Sequence, residues 1–294
     1  MAEPTLRFLV NPASGRGTGK AHLDRIRVLA SKLGAGLCVS RKVEDLAEQA
    51  RRAAADGIER LLVAGGDGTM HHAIQGLAGT SCALGVIPLG SGNDLAGTLE
   101  IPPDLEVAVN RAVNGEVRRI DLARVGETWC VSYAGVGFDS EVTRFANEVK
   151  VLRGPLIYFY SVVHTLVTFV PPRMRVVHDG GTFEGAVMFT VVNNLPRFGG
   201  GMRIAPDARI DDGLLDLVIV KEIPKRLLLT LFPKVYNGGH VGHPAVQIVR
   251  TTRAEITLLD RTMTMYGGGE PLRPMKAGEP VLVEMVPGGL CVVG

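Results

Sequence analysis

Between Leu61 and Asp94 the chain runs twice from a short apolar stretch into a turn punctuated by glycine, and few folds accommodate that pair. The first unit is Leu61-Leu62-Val63-Ala64 followed by Gly65-Gly66-Asp67-Gly68-Thr69. The second is Leu84-Gly85-Val86-Ile87-Pro88 followed by Leu89-Gly90-Ser91-Gly92-Asn93-Asp94. A short apolar run bounded by glycine reads as a buried strand, and the residues after each turn are suited to begin a helix. Strand, glycine turn and helix start together make a phosphate cradle: glycine admits close backbone approach, and the helix end offers unpaired N–H groups and a positive dipole. A carboxylate in such a cradle repels phosphate unless a cation lies between them, which makes Asp67 a direct or water-mediated Mg²⁺ partner. One such turn reads equally well as a plain strand-to-helix connection. Two of them, each carrying an aspartate, point to a single nucleotide cleft.

The flanking pattern sets the fold class. A strand at Arg7 to Val10, a loop at Asn11 to Gly17, a helix from about Gly19 to Leu33, a strand near Leu37 to Ser40 and a helix near Val43 to Asp56 alternate. Such alternation implies a mostly parallel sheet with helices on its faces, and these sheets bind ligands at the carboxyl ends of their strands. Beyond the Asn114-Gly115 turn, alternating runs at 128–133, 174–178, 186–193 and 214–220 read as antiparallel strands. We therefore expect an α/β nucleotide-binding domain over residues 1–122 and a β-rich, antiparallel sandwich-like domain over 123–294. The tail from Pro280 to Val293 is expected to supply two strands, part of which returns to the first domain. A chain of 294 residues is long enough for two cores.

With 32 basic and 30 acidic residues the net charge is +2, and no basic stripe with interleaved aromatics marks a nucleic-acid footprint. Cysteines at 38, 82, 130 and 291 form no close pair, which disfavours zinc and disulfide frameworks and suits a reducing cytoplasm. The start of the chain enters a strand-like run without signal-peptide features. The uncharged stretch between Pro155 and Pro171 falls short of the roughly 20 residues needed to span a bilayer and reads as an amphipathic or buried helix. Arg153, Arg173 and Arg175 flank it and suit a peripheral membrane contact.

The residues GGDGT at 65 to 69 and PLGSGNDLA at 88 to 96 resemble the catalytic domain of the diacylglycerol kinase family, which includes bacterial lipid kinases and sphingosine and ceramide kinases. GGDGT alone is shared with phosphofructokinases and NAD kinases; the second motif points to lipid kinases. The resemblance implies an ATP- and Mg²⁺-dependent transfer of phosphate to a lipid hydroxyl. It implies that Gly65, Gly66, Gly68, Thr69, Gly90, Ser91, Gly92 and Asn93 hold ATP, with Asn11 and Arg16 of the first loop, and Ser40 in place of a family threonine. Asp67, Asp94 and Asp121 would organise the nucleotide's metal. Asp211-Asp212-Gly213-Leu214-Leu215-Asp216 resembles an element that holds a structural Mg²⁺ in relatives, here through Asp212 and the carbonyls of Arg209 and Leu214. A plain Asp-Gly turn is the alternative.

Gly267-Gly268-Gly269-Glu270-Pro271 resembles the terminal motif, and Glu270, with Asp67, is the expected catalytic pair: a carboxylate can orient a hydroxyl and accept its proton. Two departures stand out. Gly268 replaces the usual aspartate, and His71-His72 replace the usual Asn-Glu and are expected on the helix surface. Asp139, in Gly135-Val136-Gly137-Phe138-Asp139, is read as a helix N-cap in preference to a site residue. Two other functions stay open, a kinase of a soluble substrate and a non-catalytic lipid- or nucleotide-binding protein. The expected partners are ATP, a lipid and a membrane surface, and a homodimer is compatible with the sequence.

Overall fold

A computed structural model describes residues 5–148 and 155–294. Arg153, expected to flank the membrane-facing stretch, lies outside the described residues. In the first half, β1 (Leu6–Val10), α1 (Thr18–Lys32), β2 (Gly36–Val39), α2 (Asp45–Ala55), β3 (Arg60–Gly65), α3 (Asp67–Leu77), β4 (Ala83–Pro88), α4 (Asp94–Thr98) and α5 (Leu105–Asn114) follow one another. The four strands are parallel in the order β2-β1-β3-β4. β3 and β4 are buried over almost their whole length, which explains why they read as unbroken apolar runs. Leu62, Leu84 and Ile87 are fully enclosed, each contributing about 1.5–3 kcal/mol relative to exposure. Helices cover both faces. α2 packs so closely on α3 that a Cβ at Gly76 would fall 2.3 Å from the carbonyl oxygen of Ala47. Asp104 caps α5 by accepting a bond from the Val107 amide at 2.9 Å.

The second half is antiparallel. It comprises β5 (Val117–Val125), β6 (Thr128–Cys130), β7 (Tyr133–Gly137), α6 (Phe138–Glu148), α7 (Pro155–Thr168), β8 (Arg173–His178), β9 (Gly181–Asn193), β10 (Leu215–Lys221), α8 (Lys225–Leu231), β11 (Val246–Thr251), β12 (Arg253–Leu258), β13 (Met263–Gly267), β14 (Glu270–Met275) and β15 (Pro280–Val293). The order β14-β13-β7-β9-β8-β12 leads into β15, with β10 and β11 continuing from β9. The run at 128–133 is broken into β6 and the start of β7 rather than being one strand. The tail is likewise one strand, not two: β15 pairs β12 and β5, with an irregularity between Val286 and Leu290, and Val292 then pairs Leu84 of β4 in parallel. β5 and β15 thus fasten the two halves together.

α7 is amphipathic with an unusual polarity. Ser161 and Thr165 are buried, whereas Tyr160, Val163 and Val167 are exposed, Val167 at 72%. Among the described residues no helix is long and apolar enough to cross a membrane.

Candidate active site

The loops after β1, β3 and β4 meet at the carboxyl end of the parallel sheet. Asn11 ties the first two: its Nδ2 donates to Thr69 Oγ1 at 2.9 Å, and its Oδ1 accepts from the Ala13 amide at 3.1 Å. Arg16 lies on the single 3₁₀ turn Ser14–Gly17, with its side chain outside the described ones. Ser40 follows β2 and is buried, its hydroxyl donating to the Val10 carbonyl at 3.3 Å.

The two glycine turns pack backbone to backbone. A Cβ on Gly66 would stand 2.9 Å from the Gly90 Cα, and one on Gly90 would stand 2.5 Å from the Gly66 Cα. A Cβ on Gly65 would strike the Thr69 side chain, and one on Gly92 would lie 2.6 Å from Asp67 Oδ2. The glycines are therefore required by contact between the turns themselves, a reason beyond clearance for a phosphate. Asn93 sits in the left-handed region at φ 51° and closes the second turn, with Oδ1 accepting from the Gly90 amide and Nδ2 donating to its carbonyl.

Asp67 opens α3 and locks the second turn to the first. Its Oδ2 and Oδ1 accept from the amides of Asn93 and Asp94, both at 2.7 Å. Burial raises its pKa and these amides oppose the rise. Asp94 reaches the other half of the molecule, where its Oδ2 accepts from the Gly199 amide at 2.9 Å. Its Oδ1 is buried without a hydrogen-bond partner among the described residues. Burial and then the charge of Asp67 push Asp94 up to about 6. An orphaned carboxylate oxygen beside a second carboxylate is a donor set that fits a hard divalent cation.

Glu270 begins β14 after the turn Gly268-Gly269, whose φ values of 61° and 84° are those of a type I′ hairpin. Glycine satisfies that turn as well as the usual Asp-Gly, so the missing aspartate leaves the placement of Glu270 intact. Its Oε1 would lie 3.2 Å from a Cβ at Gly68, over the first turn of α3 and one residue from Asp67. His71, one turn along α3, is buried and packs beside Gly268, which corrects the expectation of a surface role.

Beside these groups lies a cavity of about 450 Å³. Asp67, Ser91, Gly92, Asp94, Gly268 and Gly269 line its polar part, and Phe138, Val142, Phe189, Phe198, Val220, Leu228 and Phe232 line its apolar part. Asp139 also faces it. Ser140 takes over the capping role expected of Asp139, bonding the Gly137 amide at 3.0 Å, and the absent Cβ of Gly135 makes room for the Asp139 carboxyl. Asp139 Oδ1 has no hydrogen-bond partner among the described residues, and burial pushes the group up to about 7. Nothing in the local sequence separates this residue from a cap; an apolar environment assembled from β9, β10 and α8 makes the difference.

Two expected metal residues are committed elsewhere. Asp121 gives both oxygens to backbone amides, Oδ2 to Gly213 and Oδ1 to Gly288, each at 2.7 Å, and does not line the cavity. It clamps the loop at Gly213 to the irregular stretch of β15 at Gly288. Asp212 pairs through Oδ2 with Arg250, while its Oδ1 accepts from the Leu214 amide at 3.1 Å. With the Arg250 guanidinium already on Asp212, a divalent ion there would sit beside a fixed positive charge, so Asp212 and the carbonyls of Arg209 and Leu214 do not fit one as they stand.

Fold and site together define a two-domain phosphotransferase in which nucleotide-type turns face an apolar cavity. The diacylglycerol kinase catalytic domain family matches residues 5–125, and the YegS C-terminal NAD kinase beta sandwich-like domain family matches residues 132–294. The diacylglycerol kinase of Mycobacterium tuberculosis is 32% identical over 296 residues, covering 97% of this chain and 93% of its own. That of Bacillus subtilis is 29% identical over 279 residues, covering 90% and 91%. Among solved structures, a diacylglycerol kinase from Bacillus anthracis superposes with a TM-score of 0.78 at 21% identity, covering 100% of this chain and 98% of that one. Yeast NADH kinase shares the fold at a TM-score of 0.60 and 11% identity, covering 100% and 84%. The chain belongs to the diacylglycerol kinase family and is a lipid kinase of the diacylglycerol kinase type.

Proposed function

We propose that this chain binds Mg²⁺-ATP across its two glycine turns and transfers the γ-phosphoryl group to the free hydroxyl of diacylglycerol or a closely related lipid. The observation that carries the reading is the cavity itself, apolar along its length and ending on Asp67, Asp94 and the Gly268-Gly269 turn. A hydrocarbon chain in it would bring its headgroup to the place where two carboxylates can gather a cation. Diacylglycerol is favoured because the relatives from M. tuberculosis and B. subtilis carry that name. A kinase of a soluble substrate would have no use for such a cavity.

ATP supplies the phosphoryl group, and Mg²⁺ neutralises the charge on it. Asp94, with Asp67 beside it, would hold the cation, while Ser91, Gly92 and the amino-terminal end of α3 would receive the phosphates. Glu270 orients the lipid hydroxyl and accepts its proton. Asp139, raised to about 7 by burial, lines the same cavity and would position the headgroup. The exposed apolar face of α7, with Arg173 nearby, meets the bilayer that delivers the lipid.

The test is a screen of ATP consumption by the purified chain with diacylglycerol, sphingoid, ceramide and polyprenol substrates in mixed micelles. Turnover on diacylglycerol above the others is expected. Tight Mg²⁺-ATP binding with no lipid phosphorylated would replace this reading with a non-catalytic binding protein.

A further inference from the structure

Arg250 sits on β11 directly opposite Asp216 of β10, and its guanidinium reaches along the sheet to Asp212 in the preceding loop. The loop is strongly acidic. Asp216 is buried, and its Oδ2 has no hydrogen-bond partner among the described residues. Asp207 and Asp211 are exposed, but the part-buried Asp212 beside the buried Asp216 is stabilised by a compensating cation. The family resemblance implies a structural Mg²⁺ at this element. Here the Asp212 side chain, 16% exposed, already has one oxygen on the guanidinium and the other on the Leu214 amide. A Mg²⁺ ion on the same carboxylate would stand beside the guanidinium, so the two cations compete for it.

Arg118 pairs with the neighbouring Asp211 at 3.5 Å. We infer that Arg250 is the resident cation at Asp212, so that the 211–214 loop is ordered without a divalent ion. A planar guanidinium suits the task, because it binds a carboxylate with a fixed fork and does not lose its proton. The consequence extends beyond the loop. Gly213, held between Asp212 and Leu214, donates its amide to Asp121, whose other oxygen holds Gly288 of β15. Arg250 therefore also steadies the clamp between the two halves, and the only divalent ion required is the one that accompanies the nucleotide.

Thermal unfolding of the full chain without nucleotide, in excess EDTA and in excess MgCl₂, tests this. Mg²⁺ bound near Asp67 could shift the midpoint on its own, so the reading is the part of the shift that depends on Asp212. Wild type and Asp212→Asn are expected to respond equally to Mg²⁺. Arg250→Met is expected to gain an additional rise of a few degrees with Mg²⁺, lost again when Asp212→Asn is added. A Mg²⁺ response in wild type that Asp212→Asn abolishes would overturn the inference. Should Arg250→Met fail to fold, the comparison of wild type with Asp212→Asn decides alone.

Discussion

The imidazole of His71 lies against the α-carbon of Gly268, where a Cβ would stand 3.6 Å from both Cβ and Nδ1 of the histidine. Two of the residues that depart from the family motifs, His71 and Gly268, are thus neighbours. Burial, and then the charge of His72, hold His71 down at about 4, so it is neutral beside the turn that carries Glu270. In Gly268→Asp the turn should survive, because aspartate tolerates positive φ better than most residues. The new carboxylate would favour the imidazolium, so His71 is expected to titrate at higher pH than in wild type. Imidazole proton shifts followed by NMR across a pH series check this, and an unmoved His71 would place the introduced carboxylate away from it.

Gly66→Ala is expected to lower thermal stability and ATP affinity together. Its Cβ would meet the backbone of Gly90, which has no flexible end to move aside, and overpacking of this kind costs about 1–3 kcal/mol. If the glycine served only to clear a phosphate, calorimetric ATP affinity would fall while the melting midpoint stayed put.

Asp139→Asn should stabilise the fold in a pH-dependent way. Asp139 is raised from 3.8 to about 7, so between those values the folded chain keeps a proton that the unfolded chain has released. Stability from this group is fully present below the lower value, declines as pH rises through the upper one and is flat above it. The asparagine variant should therefore gain over wild type at about pH 8 and lose that advantage near pH 4. Urea melts at the two pH values measure the gap, and its constancy would show that the carboxyl is well solvated.

Glu270→Gln keeps the shape of the proposed base and removes its basicity. A fall in kcat of roughly 10²- to 10⁴-fold is expected, with ATP affinity nearly unchanged. Full activity in this variant on a lipid that wild type phosphorylates would move the base elsewhere and leave the kinase in place.

Replacing Val163 and Val167 by glutamate should abolish flotation with anionic vesicles at low salt. These side chains already face water, so folding should be little affected. Retained flotation would transfer membrane contact to another surface.

Local pattern carried the parallel half of the fold. Apolar runs of strand length and glycines at their ends announce β3, β4 and the two turns, because the physics that makes them is local. Contacts distant in sequence were not legible. Asp121 reads as a metal residue until its carboxylate is found on the amides of Gly213 and Gly288, which are 92 and 167 positions away. Asp139 reads as a cap because the apolar residues that desolvate it come from other strands. His71 reads as a surface residue because the turn that covers it arrives from β13 and β14.

β15 joins β4 through Val292 and runs along β5 from Val283 to Val293. During synthesis the amino-terminal sheet must therefore wait with one edge of β4 uncovered until nearly the whole chain has been made. Pairings of such long sequence separation are slow to close and leave open strand edges exposed to other chains meanwhile. The same strand that binds the halves thus covers an edge of the first domain that its own residues leave open.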